Sequence, residues 1–335
     1  YGRGSVDDKG PIVSNLFAVK ALMDSNVELN KRIRFIFGVD EENLWRSIDK
    51  YLENEEKPDM GFTPDSSFPM IHAEKGLLQF KLTTDSGSYI KLKGGNAFNA
   101  VPDKIIYESN KADLIAKNLA KLNYNYKKEN NKITVFGQGA HASKPYNGKN
   151  AITRLTEALV ASNIKNKSLN FINDKIANDH HGKNIFGDCS DTPSGKLTIN
   201  LGKINLNEDK QELFFDIRIP VTKDKETIIK EIKKTANKYN LKYEEYDYLD
   251  SLYVPKDHYL IKTLSKVYKK ETNLDPTPLT SGGATYARAI DDCVAFGPVF
   301  PGQEKVEHQA NEYIKTDSLI KCSNIYAQAI YKLTR

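Results

Sequence analysis

Three acidic clusters lie within the first 65 residues of this 335-residue chain: Asp7-Asp8-Lys9-Gly10, Asp40-Glu41-Glu42 and Pro64-Asp65. His308, in Glu307-His308-Gln309, sits near the other end. No helix or loop spans such separations, so a fold that uses these groups together must bring the first and last parts of the chain into one domain. Carboxylates combined with a distant imidazole suit a site for two metal ions, which need several anionic oxygens at once.

The pattern between the ends points to the same topology. Residues 1–76 read as α/β. Pro11 suits the first turn of a helix over 11–23, with Ile12, Leu16, Val19 and Met23 on one face. Residues 32–39 read as a strong strand, and Asp40-Glu41-Glu42 follows its carboxyl end, where open α/β sheets bind ligands. From residue 77 the character changes to short strands (77–82, 89–93, 132–136) with a helix over 112–122. A helix over 150–163 follows, then strands over 196–206 and 211–220, the latter with Leu213, Phe215, Ile217 and Ile219 on one face. A Lys-rich helix over 223–239 and a strand over 241–246 complete an α+β block of mostly antiparallel pairing. From residue 251 the α/β character returns, with a helix over 259–271, Ser281-Gly282-Gly283, a second helix to 290, a strand over 293–296 and a closing helix over 316–333. Residues 77–250 therefore read as an insertion between two halves, 1–76 and 251–335, of one domain.

Composition narrows the function. The 49 basic and 44 acidic residues are interspersed, so the net charge of +5 does not describe a nucleic-acid surface. No apolar run approaches the ~20 residues of a membrane span. Cys189, Cys293 and Cys322 form neither a metal motif nor a disulfide framework, which fits a reducing cytoplasm. The chain opens at Tyr1 without a Met, and an upstream segment is expected to be missing.

Each candidate has a plainer reading. Asp7 and Asp8 precede a helix and suit capping or its first turn. Glu41 and Glu42 fit solvated first-turn acids, or a division in which one binds metal and the other serves as general base. Asp65 is by default a turn residue, and His308 a loop histidine. His141 lies in Gly137-Gln138-Gly139-Ala140-His141-Ala142-Ser143, a turn able to aim an imidazole into a cleft. Arg218 alternates with an apolar strand face, which reads as a solvent-facing arginine or as a bidentate clamp on a carboxylate. Gly282 and Gly283 read as a turn exposing backbone N–H groups before a helix. His72, His180, His181 and His258 read as structural or surface residues, the His180-His181 pair being able to take adventitious metal. There is no His-Glu-x-x-His, Gly-x-Ser-x-Gly or Walker loop.

Taken in order, several stretches resemble the dinuclear metallopeptidases of the aminoacylase and carboxypeptidase G type, and most closely the bacterial PepV-type dipeptidases. They are Gly2-Arg3-Gly4-Ser5-Val6-Asp7-Asp8-Lys9-Gly10-Pro11, Phe37-Gly38-Val39-Asp40-Glu41-Glu42, Gly61-Phe62-Thr63-Pro64-Asp65, Ala73-Glu74-Lys75-Gly76, Gly94-Gly95-Asn96-Ala97-Phe98-Asn99, Gly139-Ala140-His141-Ala142-Ser143 and Ser281-Gly282-Gly283-Ala284-Thr285-Tyr286-Ala287-Arg288. The resemblance implies an α/β, zinc-peptidase-like catalytic domain, a mixed sheet flanked by helices, with an inserted α+β lid domain. It also implies two divalent metal ions, usually zinc, with manganese also used. Asp7 would bridge them, Glu42 and His308 would complete one ion's protein ligands, and Asp65 would serve the other. Glu41 would be the general base, and His141, from the lid, would stabilise the oxyanion. Asn99, Arg218 and the loop at Gly282 and Gly283 would hold a dipeptide, and closure of the lid would complete the site. A related N-acyl-amino-acid deacylase or desuccinylase, and a non-catalytic remnant of the fold, are the alternatives. The resemblance also implies a monomer or weak homo-oligomer. One departure stands out. The family takes a further ligand from a His-x-Asp motif upstream of Asp7, and this chain has none. The Asp65 site is thus expected to be impaired and the activity of the chain as given low.

Overall fold

The computed structural model describes residues 1–42 and 45–335. The chain divides into two compact units, Tyr1–Glu74 with Leu252–Arg335, and Lys75–Ser251. Both are mixtures of helices and sheets, in keeping with the α/β class expected.

In the first unit a mixed sheet is built from very short strands. Gly61–Thr63 runs parallel to Cys293–Ala295, which pairs antiparallel with Ile71–Glu74. Ile71–Glu74 also pairs antiparallel with Leu252–Tyr253 and parallel with Leu279–Ser281. Asp65 thus sits just past the carboxyl end of one strand, and Gly282 and Gly283 just past that of another. The helices Lys9–Asp24 and Tyr259–Thr272 both pack on the closing helix Thr316–Leu333. Beneath them an aromatic core gathers Phe68, Tyr268, Phe296 and Tyr326, all buried, with Phe68 edge-on to Phe296 at 5.0 Å.

Three expectations for this unit fail. Residues 32–39 are assigned to no strand, despite their β-branched and aromatic content. Propensity alone does not make a strand, because the backbone N–H and C=O groups need a partner ladder. The neighbouring Gly61–Thr63 pairs with Cys293–Ala295, and a cavity of about 970 Å3 is lined both by residues 31–39 and by residues 56–65. The first helix also turns a different face inward. Its buried residues are Pro11, Ser14, Asn15 and Ala18, whereas Leu16 and Met23 are 41% and 67% exposed. Small side chains let this helix approach Thr316–Leu333 closely, so the bulkier apolar residues are turned aside. The helix expected to end at 290 is a single 3-10 turn, Tyr286–Ala289.

The second unit is ordered by alternation. Its five-stranded antiparallel sheet runs Lys242–Leu249, Gly76–Thr84, Gln211–Ile219, Thr198–Leu206, Leu92–Gly94. Leu213, Phe215, Ile217 and Ile219 bury one face together with Leu78, Phe80 and Leu82. The strand expected over 89–93 is confined to Leu92–Gly94. A three-stranded sheet places Lys132–Phe136 between Lys104–Glu108 and Tyr126–Glu129. The helix Ala151–Ala161 starts where Asn150 accepts from the N–H of Ile152 at 2.9 Å. Helix Lys225–Asn237 starts on Asp224, which accepts from Thr227 N at 2.7 Å.

The two units have separate cores, so a core truncation should act on one of them. Phe296→Ala removes a fully buried ring from the aromatic cluster and is expected to cost about 3–5 kcal/mol. Urea unfolding followed by tyrosine fluorescence would check this, and a change below about 1 kcal/mol would contradict the packing described.

Candidate active site

Three groups that the sequence places at opposite ends meet in the first unit. Asp7, Glu42 and His308 each offer a ligand atom, and these atoms lie within 4.8 Å of one another. His308 Nε2 is 2.9 Å from Asp7 Oδ2 and 3.0 Å from Glu42 Oε1. A bend with His308 in the left-handed region (φ 60°) presents the ring. Asp65 joins the group near enough for the charges of Glu41 and Asp7 to act on it. A cavity of about 240 Å3 is lined by Asp7, Glu41, Glu42, Asp65 and His308 on one side and by Ser281 and Gly283 on another.

The plainer readings of these acids do not hold locally. Asp8 occupies the cap position of helix Lys9–Asp24 but makes no capping hydrogen bond. Glu41 and Glu42 precede the helix Arg46–Asn54 rather than forming its first turn. The structural acid of that cluster is Asp40. It accepts from the N–H groups of Arg46 and Ser47, each at 3.1 Å, and from Ser47 Oγ at 2.8 Å, and the Ser47 bonds bring its pKa down to about 2. With Asp40 fixed to the helix, its neighbours are left to face the cavity.

Crowding then sets the electrostatics. Burial, and after it the charges of Glu41, Asp7 and Asp8, raise Asp65 to about 9. Burial followed by the charge of Glu42 brings Glu41 to about 7, and burial with the charge of Asp7 brings Asp8 to about 6. Carboxylates held this close in a partly dry cavity resist ionising together. Two or three carboxylates with one imidazole form a donor set suited to a divalent ion such as zinc, which takes three protein ligands and leaves a position open. The residues present therefore fit a divalent cation.

Asn99, His141 and Arg218 occupy the second unit. Asn99 and His141 lie on neighbouring loops, joined by a bond from Ala142 N to Asn99 O at 2.9 Å and by a bridge between Ala100 and His141. Buried Asn200 donates to the carbonyls on either side of Asn99, those of Phe98 and Ala100, at 2.9 Å each. The Asn99 loop lies so close to strand Thr198–Leu206 that a Cβ on Gly202 would fall 2.4 Å from Ala97 O. Ser143 N donates to His141 Nδ1 at 3.2 Å. That acceptor role puts the proton of the neutral ring on Nε2. Part of the ring reaches solvent, but desolvation and then the charge of Arg218 depress its pKa, which favours the neutral form.

Arg218 is not the solvent-facing residue that the alternation suggests. Its side chain is 3% exposed, and its Nε and Nη2 donate to Asp216 at 2.7 and 3.1 Å. The polar face of that strand is covered, and the buried guanidinium takes a buried carboxylate in fork geometry. The expectation of exposed amides at Gly282 and Gly283 also changes, since Gly283 N donates to Ser281 Oγ at 2.9 Å.

Sequence reasoning passed over the groups that brace these loops. Glu74, on the strand beside Ser281, accepts from Thr285 Oγ1 at 2.8 Å, Thr285 N at 3.1 Å and Arg288 Nε at 3.2 Å. Arg288 Nη2 in turn holds Gly283 O at 2.8 Å. Burial pushes the pKa of Glu74 upward, opposed by the charge of Arg288 and the Thr285 bonds. Nothing in the spacing links residue 74 to residue 288. The pairing of Asp216 with Arg218 was readable, because i and i+2 on a strand share a face.

Residues 1–332 match the profile of Peptidase family M20/M25/M40. "Putative dipeptidase YtjP" of Bacillus subtilis (strain 168) is 35% identical over 357 aligned positions, which cover 100% of this chain and 76% of that protein. Among solved structures, a tripeptidase from Staphylococcus aureus superposes with a TM-score of 0.58 at 16% identity, covering 99% of this chain and 72% of its own. A metallo-carboxypeptidase from Sulfolobus solfataricus gives 0.54 at 17% identity, covering 99% and 77%. These superpositions establish a shared fold.

The crowding has a measurable consequence. Burial and the neighbouring carboxylates raise Asp65 to about 9 in the folded protein, against an ordinary value of 3.8 once the chain unfolds. The folded state binds the extra proton across that window, so the stability of chelator-treated protein falls as pH rises through it. Asp65→Asn cannot ionise. At pH 8 in EDTA it is expected to stabilise by at least about 1 kcal/mol, the worth of less than one pKa unit, and to flatten the pH slope in scanning calorimetry. A lower thermal midpoint at pH 8 would contradict the crowding.

Proposed function

Since the chain belongs to Peptidase family M20/M25/M40 and is a peptidase, we propose that it is a metal-dependent dipeptidase, with its chemistry centred on Asp7, Glu41, Glu42, Asp65 and His308. The observation that carries this reading is the convergence of Asp7, Glu42 and His308, with Glu41 beside them at a pKa of about 7. Asp7, Glu42 and His308 would hold one cation, and Asp65, sharing Asp7, a second. Zinc is the ion best matched to this set, with manganese the other candidate. Bound there, the cations supply positive charge that acidifies water and polarises a carbonyl oxygen.

Glu41 is the general base. Its carboxylate, not needed as a ligand, takes a proton from the attacking water and then delivers it to the amine as the C–N bond breaks. His141, neutral and carrying its proton on Nε2, is assigned to the developing oxyanion, a contact that commonly contributes ~3–4 kcal/mol. Lys75–Ser251 is assigned the role of lid and substrate clamp. Within it Asp216 fixes the plane of Arg218, whose guanidinium suits the C-terminal carboxylate of a short peptide. Asn99 and residues 281–283 complete the substrate contacts. A clamp on the C-terminal carboxylate would favour dipeptides, because a longer chain places no carboxylate at that distance.

Glu41→Gln preserves shape but cannot accept the proton. It is expected to lower kcat by about 10²–10⁴-fold while the number of bound cations, read by elemental analysis, stays at the wild-type value. The substrate class is decided by a panel of dipeptides, tripeptides and N-acetyl or N-succinyl amino acids, assayed with zinc or manganese added. Preference for the acylated amino acids would replace the dipeptidase reading by a deacylase. Full activity of Glu41→Gln would remove the assigned base.

A further inference from the structure

The loop bearing Asp7 is not held by its own neighbours in sequence but by a carboxylate more than 300 residues away. Glu312 is 1% exposed at its side chain, and its Oε1 accepts from the N–H of Val6 at 3.0 Å and of Asp7 at 3.1 Å. Its Oε2 takes Arg3 Nη1 at 2.9 Å, and its backbone carbonyl takes Gly2 N at 2.9 Å. Arg3 also reaches Gln309 O at 3.3 Å, the residue after His308. Residues 2–7 and 308–312 are thus tied together at several points, and each of these segments ends in one member of the Asp7, Glu42 and His308 group.

The chemistry of the tie is unusual for a structural contact alone. A buried carboxylate is costly unless its oxygens are well supplied with donors. Here the N–H groups of Val6 and Asp7 and the guanidinium of Arg3 supply those donors. A neutral amide could fill the same space, so the site keeps an anion where two main-chain amides need an acceptor and a nearby cation would gain from the charge. Partners that orient a ligand in this way typically contribute 10–100-fold to cation affinity.

We infer that Glu312 is a positioning residue for cation binding, fixing the backbone of Asp7 and, through Arg3, its distance from the His308 loop. The inference rests on the metal-site reading above. The test compares wild type, Glu312→Gln and Glu312→Ala, using zinc titrated against a competing chelator together with hydrogen exchange at the Val6 and Asp7 amides. Glu312→Ala is expected to bind zinc about 100-fold more weakly and to lose protection at both amides. Glu312→Gln, which keeps one acceptor oxygen but no charge, is expected to lose about 10-fold while its urea midpoint in EDTA stays near wild type. Zinc affinities within twofold of wild type in both variants overturn the inference. If Glu312→Ala does not fold, Glu312→Gln decides alone, because a merely structural role would leave its zinc affinity unchanged. A wild type that takes up no zinc overturns the site reading itself, a different outcome from variants that match a zinc-binding wild type.

Discussion

Mutual repulsion among carboxylates gathered in a partly buried cavity is the constraint on which the rest of this structure depends. Asp7, Asp8, Glu41 and Asp65 lie near enough for their charges to act on one another, and burial denies them the water that would screen those charges. Such a cluster is unfavourable for folding taken by itself. It becomes reasonable if a divalent cation is the group the cavity is built to hold, because positive charge then replaces the proton that Asp65 otherwise keeps at neutral pH. Burial, and after it the charges of Glu42 and Asp7, likewise raises Glu41 in the metal-free protein.

Holding the cluster together takes rigid connections from outside it. Glu312 fixes the amides of Val6 and Asp7, Asp40 fixes the start of helix Arg46–Asn54, and Glu74 with Arg288 braces residues 281–283. Each is an anion that meets backbone N–H groups or a guanidinium, interactions strong enough to hold a charge out of water. In the second unit Asp216 does this for Arg218, while the neutral amide of Asn200 holds the loop of Asn99 by donating to its carbonyls.

Much of this was legible in the sequence where periodicity governs burial. The helix Thr316–Leu333 and the strand Lys132–Phe136 fall where their apolar spacing puts them, and Gln211–Ile219 buries the alternating face its residues define. The acidic clusters and His308 were also readable as one group, though their individual roles came only through their joint resemblance to a family. What the sequence hides is partnership. Residues 32–39 have every local mark of a strand, yet local marks do not supply a ladder. The first helix packs through Ser14 and Ala18 because closeness to another helix outweighs the hydrophobicity of Leu16 and Met23. Arg218 looked solvent-facing because burial of a charge depends on what covers it, and that is decided by residues distant in the chain.

The central claim is that the carboxyl cluster, in which burial and neighbouring charge raise Asp65 to about 9, is a site where a divalent cation takes the place of protons. Titration of zinc into the protein at pH 7, by calorimetry in two buffers of different ionisation enthalpy, counts the protons released as the ion binds. The account predicts tight uptake with net proton release, and affinity that strengthens as pH rises from 6 to 8. Uptake with no proton release, or no uptake, would contradict it.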